Sequence, residues 1–325
     1  MKETAPNLGE AVSRLPTLAR FRFKLEALDP IALPEYPGSA WRGLLGHGLR
    51  RTACVTGQRT CAGCLLIHAC VYSALFETPP PPGKDLVGFT AMPHPFVLEL
   101  DPEAPQRYPA GTRIDVGLTL VGPSVAQLPY LIRSLDSAGQ QGVGRDRGRF
   151  RVGAVAQETA LGSDRWERVY QAAHATYRPL APLSPTLPPA PERVALRLRT
   201  PLRIKRDGRF VVPERFTLTD FFRHLYNRIQ RLALLYGGQP EGFEWHESAA
   251  LVGGLQLCAA NLSWHDWTRY SARQSTLMQL GGLMGDLIIA GPAIAHFWPV
   301  LWVGQWTHVG KGTSFGLGAY RLEEA

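Results

Sequence analysis

The chain has 325 residues and a mass of 35.8 kDa, enough for two domains that each bury a core. Hydrophobic residues at 45% and charged residues at 19% exclude a disordered chain, and the 33 glycines and 27 prolines follow no period, which excludes a collagen-like one. Thirty-five Lys and Arg against 27 Asp and Glu give a net charge of +8, which favours an anionic partner such as nucleic acid or a membrane surface. The first residues, MKETAPNLGEAVSRLP, hold no apolar signal-peptide core. The longest apolar stretch, Leu283 to Val303, is interrupted by Asp286, Pro292 and Pro299. A cytoplasmic protein without membrane spans is expected.

Residues 19–28 alternate Phe21, Phe23 and Leu25 with Arg22, Lys24 and Glu26, the period of a half-buried strand. A Pro/Gly loop containing Tyr36 leads to a helix over 39–52, with Ser39 placed to cap it. On a helical wheel Trp41, Leu44, Leu45, Gly48 and Leu49 share the face to be buried. Gly43, His47 and Arg50 point the other way, with Arg51 at the flank. Cations three and four residues beyond His47 disfavour imidazolium, keep the ring neutral as a general base requires, and form a cradle for phosphate. The same pattern also suits an incidental histidine on a solvated face.

Cys54, Cys61, Cys64 and Cys70 follow, spaced C-x6-C-x2-C-x5-C. Four soft ligands within 17 residues suit a closed tetrahedral metal, zinc first and an iron–sulfur cluster as the alternative. Four reduced, buried thiols are the plain alternative, and His68 could replace one of them. Cys258 reads as an ordinary core residue. A proline run, Pro79–Pro82, ends this segment. Strands are expected at 96–100 and 113–121, a helix at 124–137, and a strand near 149–155. The turn before that strand carries Arg145, Arg147 and Arg149 after Gly142 and Gly144, either a phosphate-binding turn or a solvated one.

Residues 179–191 hold six prolines and read as the link between domains. Beyond it come a strand at 193–204 and a helix over 219–236 whose Phe222, Leu225, Ile229, Leu232 and Tyr236 form one stripe. Strands near 251–262 and 278–290, a helix over 293–305 and a final short strand complete the chain. Gly310, Gly312, Gly316 and Gly318 bracket Lys311, Thr313 and Ser314. That loop joins a helix to a strand, the reverse of a Walker loop, yet exposed N–H groups there suit the phosphates of an extended nucleic acid. Trp264, Trp267 and Tyr270 read as packing residues or base-stacking platforms. Both halves give the order β-α-β-β-α-β. The expected fold is α+β: two tandem ferredoxin-like (RRM-like) domains, 1–178 and 193–325, a linker at 179–192, and a Cys-rich metal-binding insertion at about 54–82 in the first.

Several of these segments, in this order, resemble one family. Trp41-Arg-Gly-Leu-Leu-Gly-His47 running into the cysteines, then Val71–Thr78, Gly142–Phe150, Tyr270–Gln274 and the terminal His308–Gly318, are similar to the CRISPR precursor-RNA processing endoribonucleases of the RAMP superfamily. The resemblance implies metal-independent cleavage of CRISPR repeat RNA to mature crRNA, by attack of the substrate's own 2′-hydroxyl. The products are a 2′,3′-cyclic phosphate and a 5′-hydroxyl, and no catalytic cofactor takes part. It carries the general acid/base role to His47, with Tyr36, Arg50 and Arg51 as its catalytic partners. It gives RNA contacts to Arg42, Arg145, Arg147, Arg149, His308, Lys311, Gly312, Thr313 and Ser314. Repeat RNA and mature crRNA are the implied partners, with no membrane. The alternative within the superfamily is a non-catalytic RNA-binding subunit of a CRISPR effector complex.

Overall fold

A computed structural model describes residues 14–81, 92–239, 245–271 and 276–325, with only the backbone of 268–271 and 276–279. The chain forms two compact units. One is Thr17–Leu183 with Leu235–Gly237; the other is Ser184–Leu234 and Gly238–Ala325 with the residues through Pro16.

The first unit is built on β1 (Leu18–Ala27), α1 (Gly38–Ala53), β2 (Phe96–Glu99), β3 (Arg113–Val121), α2 (Leu128–Gly139) and β4 (Phe150–Glu158). Its antiparallel sheet runs β2-β3-β1-β4, extended beyond β4 by β5 (Trp166–Gln171) and β6 (Thr176–Tyr177). That order is consistent with a ferredoxin-like unit. Central β1 places Phe23 opposite Val116 on one side and Val155 on the other. Phe21, Phe23 and Leu25 are buried under the helices. On the far face Arg20 is also buried, forked onto Glu99 at 2.6 Å and onto Glu158 at 2.7 Å. Pairing of this kind is what a buried guanidinium requires.

Helix α1 starts one residue earlier than the wheel predicts. Ser39 lies inside it, and Pro37 at the N-cap supplies no side-chain bond. A cap is worth about 1 kcal/mol, whereas burying Trp41, Leu45 and Leu49 is worth about 2 kcal/mol each. Packing therefore sets the helix. The expected helix over 124–137 divides into a 3-10 turn, Gly122–Gln127, and α2.

The second unit repeats the order with β7 (Arg193–Leu202), α3 (Leu218–Tyr236), β8 (Gln256–His265), β9 (Thr268–Ser271), β10 (Thr276–Gln279), β11 (Gly282–Ala290), α4 (Ile294–Thr307) and β12 (Tyr320–Glu324). Its sheet runs β8-β11-β7-β12, while β9 and β10 pair as a separate hairpin. The strand expected from 251 starts later, because Ala249–Gly254 forms a 3-10 turn. Cys258, expected in the core, is exposed on β8. The proline-rich stretch is held by hydrogen bonds within each unit. Leu183 exchanges two backbone bonds with Leu18 in the first unit, and in the second Trp298 donates to the Pro188 carbonyl at 2.7 Å. None of the described helices is long and apolar enough to cross a membrane.

Candidate functional site

In the first unit α1 turns Trp41, Leu45, Gly48 and Leu49 inward and leaves His47 exposed. The helix is fixed from several sides. Trp41 meets Phe150 edge-on at 5.5 Å. A Cβ added at Gly46 would stand 2.8 Å from the Phe76 ring, so this glycine lets the π-helical turn Ser73–Glu77 approach. A Cβ added at Gly43, on the side of His47, would meet nothing within 4 Å among the described residues. The fold does not require glycine there, and the surface beside His47 is open.

The basic residues of α1 differ in their engagement. Arg42 lies over the Phe76 ring at 5.2 Å and donates to His94 Nε2 at 3.1 Å. Arg50 donates to the carbonyl oxygens of Gln58 and Arg59 at 2.5 and 2.6 Å, with its guanidinium over the Tyr72 ring at 5.6 Å. It ties the Cys-rich loop to the helix, a role the wheel could not reveal. Arg51 is exposed, one turn beyond His47. Tyr36 is 5% exposed, and burial pushes its phenol well above the ordinary range. Its ring sits in the core.

The arginine-rich turn packs against residues 29–32, ahead of α1. Val143 and Gly148 bridge across it, and the Arg145 backbone N–H bonds to the Ala32 carbonyl at 3.3 Å. Gly144, at φ +78°, lies so close to the Ala32 carbonyl that a side chain would overlap it. Arg149 is occupied by Asp29 at 2.7 Å, which lowers the Asp29 pKa through that hydrogen bond. Arg145 and Arg147 are exposed at the tip.

All four clustered cysteines are free thiols, each half-buried rather than deeply buried. Among the described residues no three His, Cys, Asp or Glu side chains are gathered closely enough to hold a metal. The expected metal-binding geometry is therefore not formed as the thiols stand.

In the second unit the Gly-rich loop is stapled to β7. Thr200 Oγ1 donates to the Gly316 carbonyl at 2.8 Å, and the Lys311 N–H bonds to the Arg203 carbonyl at 2.8 Å. His308, Thr313 and Ser314, expected to face RNA, are buried, and His308 bonds through Nδ1 to the Leu317 carbonyl at 3.2 Å. Gly312, at φ +82°, has the Leu317 side chain against its Cα. Lys311 alone among these side chains is exposed.

Sequence reasoning missed a basic group around Lys311. Arg203 and Lys205 both cover the Phe210 ring, at 4.5 and 4.7 Å. Arg206 and Arg223 share Asp220, at 2.9 and 3.4 Å. His224 accepts the Lys205 backbone N–H on Nε2 at 3.2 Å and bonds through Nδ1 to the Asp220 carbonyl at 2.9 Å. Its pKa is lowered first by burial and further by the charges of Arg223 and Lys311. A signal was available. Asp207-Gly208 both adopt positive φ, the turn that closes a two-residue hairpin between Lys205–Arg206 and Arg209–Phe210. Trp264 approaches Phe210 at 6.5 Å, Trp267 is buried, and the Tyr270 side chain lies outside the described residues.

Comparison with known proteins aligns with this architecture. Residues 15–182 match the family model AF_1859_N, an N-terminal domain. Residues 196–320 match the family model of the CRISPR-associated endoribonuclease Cas6. A product complex of Cas6 (TTHB231) superposes with a TM-score of 0.57 at 16% identity, over 94% of this chain and 99% of that one. Thermus thermophilus Cas6 (TTHB231) gives 0.52 at 14% identity, over 95% and 99%. A partial Cas6-RT-Cas1–Cas2 complex gives 0.55 at 14% identity, over 97% of this chain and 47% of that one. At these identities the likeness speaks for the fold alone. No curated protein matches the sequence.

Proposed function

We propose that this protein, which belongs to the Cas6 family of CRISPR-associated endoribonucleases, cuts CRISPR repeat RNA by general acid–base catalysis at His47, without a catalytic metal. The observation that carries the proposal is the exposure of His47 on a helix whose opposite face is locked into the core. Among the described residues nothing crowds Gly43, one turn before it. A backbone phosphate can therefore approach His47 along the helix.

Cleavage by the substrate's own hydroxyl needs a base for the 2′-OH proton, an acid for the 5′-oxygen and cations for the charge gathering on phosphorus. His47 supplies proton transfer. Arg51, exposed on the next turn, supplies charge; Arg50 is committed to the Cys loop and acts by holding the end of the helix. The products are a 2′,3′-cyclic phosphate and a 5′-hydroxyl. Arg145 and Arg147 on the first unit, and Lys205 and Lys311 on the second, carry the RNA backbone, in keeping with a net charge of +8.

A cleavage assay in EDTA tests the chemistry, with the repeat RNA encoded beside the gene and a copy carrying one 2′-deoxy at the scissile position. Cutting of the all-RNA strand alone is expected. Tight binding with no cutting of either strand would instead favour a non-catalytic RNA-binding subunit.

A further inference from the structure

Between α1 and the π-helical turn the chain makes an excursion over residues 54–70. In it only Cys54, Cys61, Cys64, Ile67 and Cys70 are shielded from solvent; every other residue is exposed. Apolar residues that could have formed a core do not: Val55 is 80% exposed and Leu65 97%. The inward side of the segment is thus four sulfurs and one isoleucine. Hydrophobic burial on that scale cannot order a stretch of this length, and small exposed scaffolds are ordinarily held by disulfides or a metal. Here the cysteines are reduced.

Two of the sulfurs lie on either side of one hydroxyl. Thr56 Oγ1 lies 3.8 Å from Cys54 Sγ and 3.8 Å from Cys64 Sγ, so one small hydroxyl separates the two. Cys61 is within electrostatic reach of both Cys54 and Cys70. His68 is exposed. Arg50 already anchors the loop through the carbonyls of Gln58 and Arg59, which places a cation beside the sulfurs.

We propose that Cys54, Cys61, Cys64 and Cys70 close on a metal as a tetrathiolate centre that staples residues 54–70 to the C-terminal end of α1. As found, the sulfurs stand too far apart for one ion, so closure requires χ1 rotations and displacement of the Thr56 hydroxyl. Each thiol gives its proton to solvent as its metal–sulfur bond forms. With zinc the centre carries two negative charges, beside the Arg50 guanidinium that already anchors the loop. Four protein ligands leave no open position, so the role is structural. An iron–sulfur cluster would use the same four thiolates. The proposal does not rest on the RNA-cleaving reading.

The test is metal analysis of the full chain purified under reducing, chelator-free conditions, together with its visible spectrum. About one zinc per chain in a colourless sample is expected. Iron with matching acid-labile sulfide in a brown sample keeps the site and identifies its occupant as a cluster. Cys61→Ser with Cys64→Ser should lose the metal, and Cys258→Ser should keep it. Because the double variant could misfold, thiol labelling of the wild type gives an independent readout: the bound metal should protect four of the five cysteines, and a chelator should release them. No metal after reconstitution with zinc, or with iron and sulfide, would overturn the proposal. So would metal that survives the double substitution.

Discussion

Gly48 of α1 passes Ser134 of α2 so closely that a Cβ at position 48 would stand 2.5 Å from the Ser134 carbonyl oxygen. The backbone of α2 cannot yield as a flexible side chain would. Gly48→Ala should therefore cost about 1–3 kcal/mol by overpacking. Gly43→Ala, on the open side of the same helix, should instead stabilise by roughly 0.5–1 kcal/mol. Denaturant unfolding measures both. If RNA lies over Gly43, the second variant should bind repeat RNA more weakly while being the more stable protein.

The same helix shows what the sequence could and could not reveal. Period two in β1 and the apolar stripe of α3 follow from burial of one face, so those elements were legible. The face of α1 that carries His47 was legible for the same reason. The partner of Arg50 was not, because a guanidinium bonding two carbonyls of an irregular loop leaves no periodic trace. Nor was the burial of Tyr36, His308, Thr313 and Ser314. Polar residues beside glycines suggest an exposed loop, whereas here the glycines bend the backbone so that those side chains turn inward.

Arg50 and Arg51 should separate by variant. Arg50 holds both carbonyls through one guanidinium nitrogen, Nη2, and Arg50→Ala removes both bonds together with the charge. With a charged hydrogen bond worth about 1.5 kcal/mol, the open loop should become roughly tenfold more populated. Labelling of Cys54 and Cys61 in reduced, chelator-treated protein should speed up accordingly. Arg51→Ala should leave that labelling rate unchanged and slow cleavage.

His224 predicts a pH dependence of stability. Its folded pKa is depressed below the ordinary 6.5, chiefly by burial. Its contribution is therefore fully present above about pH 6.5 and is lost as pH falls through the lower folded value, because the unfolded chain takes up a proton that the folded one resists. Thermal unfolding should fall across that acid window. His224→Gln, which stays uncharged, should flatten the fall. An unchanged profile in the variant would remove His224 as its source.

Arg145 and Arg147 should contribute affinity rather than chemistry. Changing each to Gln should reduce the slope of log affinity against log salt by about 0.7 to 0.9. At saturating RNA the cleavage rate should not change.

The most direct test of the account is single-turnover cleavage of repeat RNA by His47→Ala, beside its binding to the same RNA. Loss of general acid–base catalysis should lower the rate by about 10²- to 10⁴-fold. Affinity should stay near the wild-type value, because the cations that hold the backbone remain in place. Cleavage at the wild-type rate by the variant would show that His47 takes no part in the reaction and that α1 presents no active site.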